Sequence, residues 1–280
     1  MTDRLQTHLA ACAEIVRRHD RERYLVALFA DPSAREGLFA LLAANHEIAK
    51  TAEVVSEPMI GQIRLQWWRE AFDGIEAGAP RVHEVVLPLA AAVDRNPDIL
   101  GHLRQVVDAR EADLSGEPPP DLKALTDYAA ETGGELTAAM ARILGADTVA
   151  AHALGTAWAL IGLVRALPAL LSAGRAPLPE ELLQENGLTL SRIKDLPESV
   201  RLGPVCAPII DEACGRLDAL APAAFKGRSG KPLRLLAARA RDLAGTLRRA
   251  DCDPRAAGVP DIPAGLPWRH AFRAVRYSLW

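Results

Sequence analysis

Apolar residues recur at three- and four-residue spacing along nearly the whole of this 280-residue chain, and the two-residue alternation of a half-buried strand is scarce. A chain patterned this way can hide its apolar faces only by packing helix on helix. The spacing predicts helices over 3–19, 22–30, 34–55, 57–77, 83–95, 98–114, 121–145, 148–173, 178–186, 204–221 and 231–250. The breaks carry helix-ending residues: Gly78-Ala79-Pro80, Glu117-Pro118-Pro119-Pro120, Gly145, Gly174 and Gly227-Arg228-Ser229-Gly230. Asp31-Pro32-Ser33 and Ser56-Glu57-Pro58 each set a capping side chain beside a proline, whose missing N–H costs nothing in a first helical turn. Many helices joined by short connections argue a compact all-α bundle.

The length suffices for a substantial core. Hydrophobic residues at 49% against 25% charged exclude a disordered chain. The formal net charge of −3 is unevenly spread, because residues 226–280 hold 12 Lys/Arg against 4 Asp/Glu. With the Gly/Pro-rich stretch 222–232, this divides the chain into a helical domain, 1–225, and a basic C-terminal helix and tail, 226–280. The basic quarter suits an anionic partner or membrane surface, and equally suits pairing with the acidic body of the same chain.

Cys12, Cys206, Cys214 and Cys252 are widely spaced and form no Cys-x-x-Cys, so they are expected to stay reduced. The N-terminus has neither a signal-peptide apolar core nor transit-peptide composition. The longest apolar run, Ala153–Leu171, is interrupted by Arg165 and Pro168, and no membrane-spanning segment is expected. The expectation is a cytoplasmic protein of a reducing compartment.

Common catalytic signatures fail. Phe225 stands where a P-loop needs its first glycine, and Pro232 follows Lys231. There is no Gly-x-Ser-x-Gly, and His46-Glu47 lacks the second zinc-binding histidine because position 50 is Lys. The seven histidines share no ligand spacing. No nucleic-acid partner is expected.

Two segments do carry a pattern. Residues 35–53 contain Ala40-Leu41-Leu42-Ala43-Ala44-Asn45-His46, and residues 162–179 contain Arg165, Gly174, Arg175, Leu178 and Pro179. They resemble the two aspartate-rich motifs of the squalene/phytoene synthase family. The resemblance implies an all-α isoprenoid-synthase bundle with a central cavity. In working members, aspartates one turn apart on two facing helices hold magnesium ions that clamp a prenyl diphosphate. Here the first three aspartate positions fall on Ala49, Lys50 and Glu53, and the second two on Ala166 and Leu170. Four of the five carboxylates are gone, so the metal-dependent ionisation is expected to be absent. Arg165 and Arg175 remain, to hold an anion in the cavity or to form a helix-end salt bridge.

Ser56–Glu70 keeps the family's Arg-x-x-x-Trp as Arg64 and Trp68, one turn apart, where guanidinium and indole can stack. The segment is also similar to the complex I assembly factor 6 group, whose members have themselves lost the aspartates. The Asn45-x-Glu47-x-Ala49 pattern of that group is present too. Further family landmarks follow in order: Val106–Leu114, Tyr128–Leu136 and Gly155-x-Ala157. Gly133 and Gly134 lie mid-helix at a cost of about 1 kcal/mol each against alanine, which a close helix approach or a kink beside the cavity would justify.

In the tail, Trp268, Phe272, Val275 and Leu279 fall on one helical stripe flanked by Arg269, Arg273 and Arg276, with Trp280 at the end. Such a segment suits an anionic membrane surface, a partner groove or the chain's own bundle. The resemblance therefore implies a catalytically silent binding or assembly factor for respiratory complex I, peripheral on the inner membrane, with no cofactor. The rival is an active prenyl-diphosphate condensing transferase, which would require Mg2+.

Overall fold

The computed structural model describes residues 2–55, 57–195, 200–221 and 223–255. All regular structure among them is helical. In chain order the helices are α1 (Thr2–His19), α2 (Arg21–Ala27), α3 (Pro32–Ala49), α4 (Thr51–Val54), α5 (Pro58–Glu76), α6 (Val86–Val93), α7 (Ile99–Ala109), α8 (Ala112–Ser115) and α9 (Leu122–Ala129). A π-helical turn (Ala130–Gly134) leads into α10 (Glu135–Leu144) and α11 (Thr148–Ser172). Then come α12 (Glu180–Glu185), α13 (Leu190–Asp195), α14 (Gly203–Asp218) and α15 (Lys231–Arg249).

Local chemistry explains most boundaries. Asp20, Asp121 and Asp147 accept hydrogen bonds from first-turn amides of α2, α9 and α11. Pro32 and Pro58 occupy the first turns of α3 and α5. Asp31 makes no side-chain cap, and Ser56 lies outside the described residues. Gly116 and Gly145 end α8 and α10 in the left-handed conformation at φ 68° and 64°. Three predicted helices are subdivided: 34–55 breaks at Lys50, 98–114 breaks at Arg110–Glu111, and 121–145 contains the π-turn. α13 was not expected from the spacing.

α11 is the axis of the bundle. It packs on the π-turn, α10, α14, α15 and α9, while α3 packs on α1, α6 and α10. Leu154, Ala157, Leu160, Ile161, Val164 and Leu167 of α11 are all fully buried. Contrary to the sequence expectation, this helix is long and apolar enough to cross a membrane, because it continues through Pro168. Half of its apolar stretch is buried inside the bundle.

The paired glycines serve close approach. A Cβ on Gly155 would lie 2.1 Å from the Gly133 carbonyl oxygen, and one on Gly133 would lie 2.6 Å from the Ala159 Cβ. The π-turn and α11 therefore touch backbone to backbone, which only glycine permits. The π-turn also brings Thr132 and Gly133 to the wall of a cavity described below.

α15 lies on α2, α11 and α14. Glu22, buried on α2, joins two arginines: its Oε1 accepts from Arg239 Nε of α15 at 2.6 Å, and its Oε2 accepts from Arg165 Nη1 of α11 at 2.6 Å. Arg241 donates to the Leu217 carbonyl and Arg248 pairs with Asp211 at 2.7 Å, both on α14. These cations of the basic quarter are thus engaged by the body of the chain. The tail residues Trp268, Arg269, Phe272, Arg273, Arg276 and Trp280 lie outside the described residues.

Candidate functional site

A cavity of about 380 Å³ lies beside α11, walled by the end of α3, α4, α8, α9, the π-turn and the segment after α11. Ala49 and Glu53 from the first motif, and Ala166 and Leu170 from the second, all line it. So does Arg175. The fold thus brings the two motifs to one space, as the sequence pairing of those segments implies.

The polar part of the wall was not legible as a motif. Arg110 donates to Asp113 at 3.0 Å and to the Tyr128 hydroxyl at 2.7 Å, and Tyr128 donates to Asp113 at 2.7 Å. The Arg110 guanidinium sits 5.7 Å from the Tyr128 ring centroid. Burial drives the Tyr128 pKa well above its usual value, so this closed triad keeps its phenol protonated. Arg23 bonds Asp20 at 2.8 Å and lies 5.6 Å from the ring of Trp158, another wall residue. Arg110 and Asp113 stand one turn apart inside a family landmark, which was the available signal. Arg23 had none.

Arg175 is positioned by the end of α11. Gly174 takes φ 73° and the Arg175 amide bonds back to the Leu170 carbonyl at 2.8 Å, which folds the chain over the helix terminus. Its side chain makes no hydrogen bond or ion pair among the described residues, and it is only partly exposed.

Other sequence candidates lie elsewhere. Lys50 turns to Glu47, with Nζ 2.5 Å from Oε1, because the chain breaks there between α3 and α4; it does not line the cavity. Arg165 likewise does not reach the cavity: the anion it holds is the Glu22 carboxylate. Arg64 and Trp68 belong to a separate pocket of about 290 Å³ with Glu47, Ile63, Trp67 and His83. Trp68 packs inward against Phe72 and edge-on against Trp67, and the cation over an indole in that region is Arg81, 5.3 Å from the Trp67 ring. The expected stacking of Arg64 on Trp68 is not among the cation–ring contacts of the described residues. The Nε of Arg64 is buried with no hydrogen-bond partner among the described residues.

The donor set does not fit magnesium. The carboxylates on the wall are Glu53 and Asp113, and Asp113 is already bonded to Arg110 and Tyr128. No group of three or more His, Cys, Asp or Glu among the described residues is placed to hold a metal ion. Magnesium asks for near-octahedral oxygen coordination, and alanine and leucine supply none of it.

A second surface stands out near α5. Met59, Ile60 and Ile63 share one face of that helix and are exposed, with Met59 at 70%, and Val54 and Val82 are exposed as well. These lie within or beside the segment similar to the assembly-factor group.

The NADH dehydrogenase (ubiquinone) complex I assembly factor 6 of Homo sapiens is 32% identical over 183 residues, 64% of this chain and 55% of that protein. The Drosophila melanogaster homolog is 29% identical over 198 residues, 65% of this chain and 57% of that protein. The match therefore spans little more than half the length of these relatives. Among solved structures, a dehydrosqualene synthase superposes with a TM-score of 0.74 at 15% identity, covering 98% of both chains. The squalene synthase HpnC from Alicyclobacillus acidocaldarius gives 0.70 at 17% identity, covering 89% of this chain and 96% of that one. Both show the isoprenoid-synthase bundle as the fold. The squalene/phytoene synthase model matches residues 16–265, nearly the whole chain, and the protein belongs to that family.

Proposed function

We propose that this protein is a non-catalytic squalene/phytoene synthase relative that acts as a binding or assembly factor in the biogenesis of respiratory complex I. The observation that carries the proposal is the cavity wall itself, lined by Ala49, Ala166 and Leu170, which the motif resemblance sets where working members of the family present metal-binding carboxylates. Metal ions make diphosphate a leaving group by offsetting its developing charge. With that charge uncompensated, a prenyl diphosphate would not ionise here. The similarity to complex I assembly factors in animals supplies the direction of the second use.

In this reading no cofactor is needed, and the protein works on the cytoplasmic side of the membrane that holds complex I. We assign the exposed face of α5 to an apolar segment of an assembly intermediate, which would cover Met59, Ile60 and Ile63. Arg64 follows Ile63 on that helix and is partly exposed, so its guanidinium would meet a carboxylate of the partner. Deletion of the protein should lower complex I activity while squalene- and phytoene-derived lipids stay unchanged. Capture from solubilised membranes should recover complex I subunits with the native chain and lose them with Met59→Asp/Ile63→Asp. Unchanged complex I and depleted isoprenoid lipids would overturn the proposal and favour the condensing enzyme.

A further inference from the structure

We infer that the cavity is a metal-independent binding site for a single-chain anionic amphiphile, with its head group on Arg175 and its hydrocarbon chain beneath the three-proline strap. The inference rests on the preceding reading in one respect: no metal clamp competes for the head group.

The wall of the cavity carries three arginines, Arg23, Arg110 and Arg175, and two carboxylates, Glu53 and Asp113, while Asp20 pairs with Arg23 from outside the wall. Arg23 and Arg110 are held by Asp20 and Asp113, yet the Nε of each is buried with no hydrogen-bond partner among the described residues. Arg175 makes no hydrogen bond or ion pair among the described residues. A guanidinium with no hydrogen bond or ion pair among the described residues, at the edge of a partly apolar cavity, is a fork for a carboxylate or a phosphate monoester, which it can take in bidentate fashion. One such guanidinium suits a head group of this size, whereas the two phosphates of a diphosphate would find one fork and no metal-binding cluster among the described residues.

The apolar end is a second pocket of about 290 Å³ that shares Asp113, Tyr128, Leu163 and Pro177 with the first. Pro118-Pro119-Pro120 form part of its wall, with Ser115 and Glu117 beside them at its exposed rim. Prolines have no N–H, so this strap faces the pocket without donors that would need partners. It is fixed in place, because the Glu180 and Glu181 amides of α12 donate to the Pro119 and Pro120 carbonyls at 3.0 Å each. A charged fork, an aromatic step at Tyr128 and a mainly apolar pocket beside it form one amphipathic path.

The test is calorimetric titration of the full chain, in EDTA and again in magnesium, with palmitate, hexadecyl phosphate, hexadecanol and inorganic phosphate. Palmitate and hexadecyl phosphate should bind equally well in both buffers. Hexadecanol and inorganic phosphate, each lacking half of the recognition, should bind at least about tenfold more weakly, the scale of one charged hydrogen-bonded contact. Arg175→Ala should weaken palmitate by about tenfold or more, with Arg175→Lys between the two. Ala166→Phe, which fills the first cavity, should remove binding while the circular dichroism stays native. A requirement for magnesium, equal binding of hexadecanol, or an unchanged affinity in Arg175→Ala would overturn the inference. Turnover of a prenyl diphosphate is a separate readout that bears on the non-catalytic reading and leaves these affinities to be judged by themselves.

Discussion

Replacement of Glu22 by alanine should unbalance the bundle more than any surface change. Glu22 is 3% exposed and Arg239 is 4% exposed at the side chain, and each carboxylate oxygen holds one arginine at 2.6 Å. The carboxylate ties α2 to α11 and α15 at once, across 143 and 217 residues of sequence. Its removal leaves Arg239 charged, buried and without that partner. Breaking a buried pair from one side costs about 3–5 kcal/mol, because the desolvation of the remaining charge is no longer offset. At about 2–3 °C per kcal/mol for a domain this large, the melting temperature should fall by roughly 6–15 °C. Urea and thermal melts followed by circular dichroism would measure it. The same reasoning requires that Glu22→Leu/Arg165→Leu/Arg239→Met, which removes all three charges, recover most of the loss or exceed the native chain. A Glu22→Ala cost under about 1 kcal/mol, or a triple variant as unstable as the single one, would refute the reasoning.

Gly155→Ala should destabilise the fold by about 3 kcal/mol or more, since its Cβ would stand 2.1 Å from the Gly133 carbonyl and backbone cannot yield as a side-chain tip can; the same melts would show it. Burial and, after it, the stacked His19 at 4.1 Å hold the His46 pKa below its usual value. The unfolded chain therefore binds that proton first, so stability should fall as pH drops below about 6.5 and stop falling below the folded pKa. His46→Gln should flatten this part of the pH profile in urea melts. All four cysteines are free and buried, and burial raises the thiols, Cys12 and Cys206 to about 12. Native protein at pH 8 should resist thiol reagents such as iodoacetamide, and urea should release all four for labelling, counted by mass spectrometry.

The helices were legible because periodicity reports burial, and most cores here are made by stripes the sequence shows plainly. The breaks inside them were not. Lys50 lies in a run that remains apolar and helical in pattern, yet the chain interrupts its helix there, and the side chain swings to Glu47 instead of following the motif into the cavity. The π-turn at Ala130–Gly134 leaves only the two glycines as a trace, and their meaning needs the facing Gly155. Of the site, the motif positions Ala49, Glu53, Ala166, Leu170 and Arg175 could be placed because the two segments resemble the motifs of the squalene/phytoene synthase family. Arg165 looked equivalent to Arg175, but one faces α2 and α15 and the other follows the helix end, a distinction that depends on neighbours far away in sequence. Arg23 and Trp158 reach the cavity through packing alone, which no local spacing announces.

The central claim is that the cavity has kept its walls and lost its metal chemistry. The most direct measurement is pyrophosphate release by the purified full chain with magnesium and farnesyl or geranylgeranyl diphosphate. The account predicts no release above the uncatalysed background at any substrate concentration. Saturable, magnesium-dependent release would contradict it.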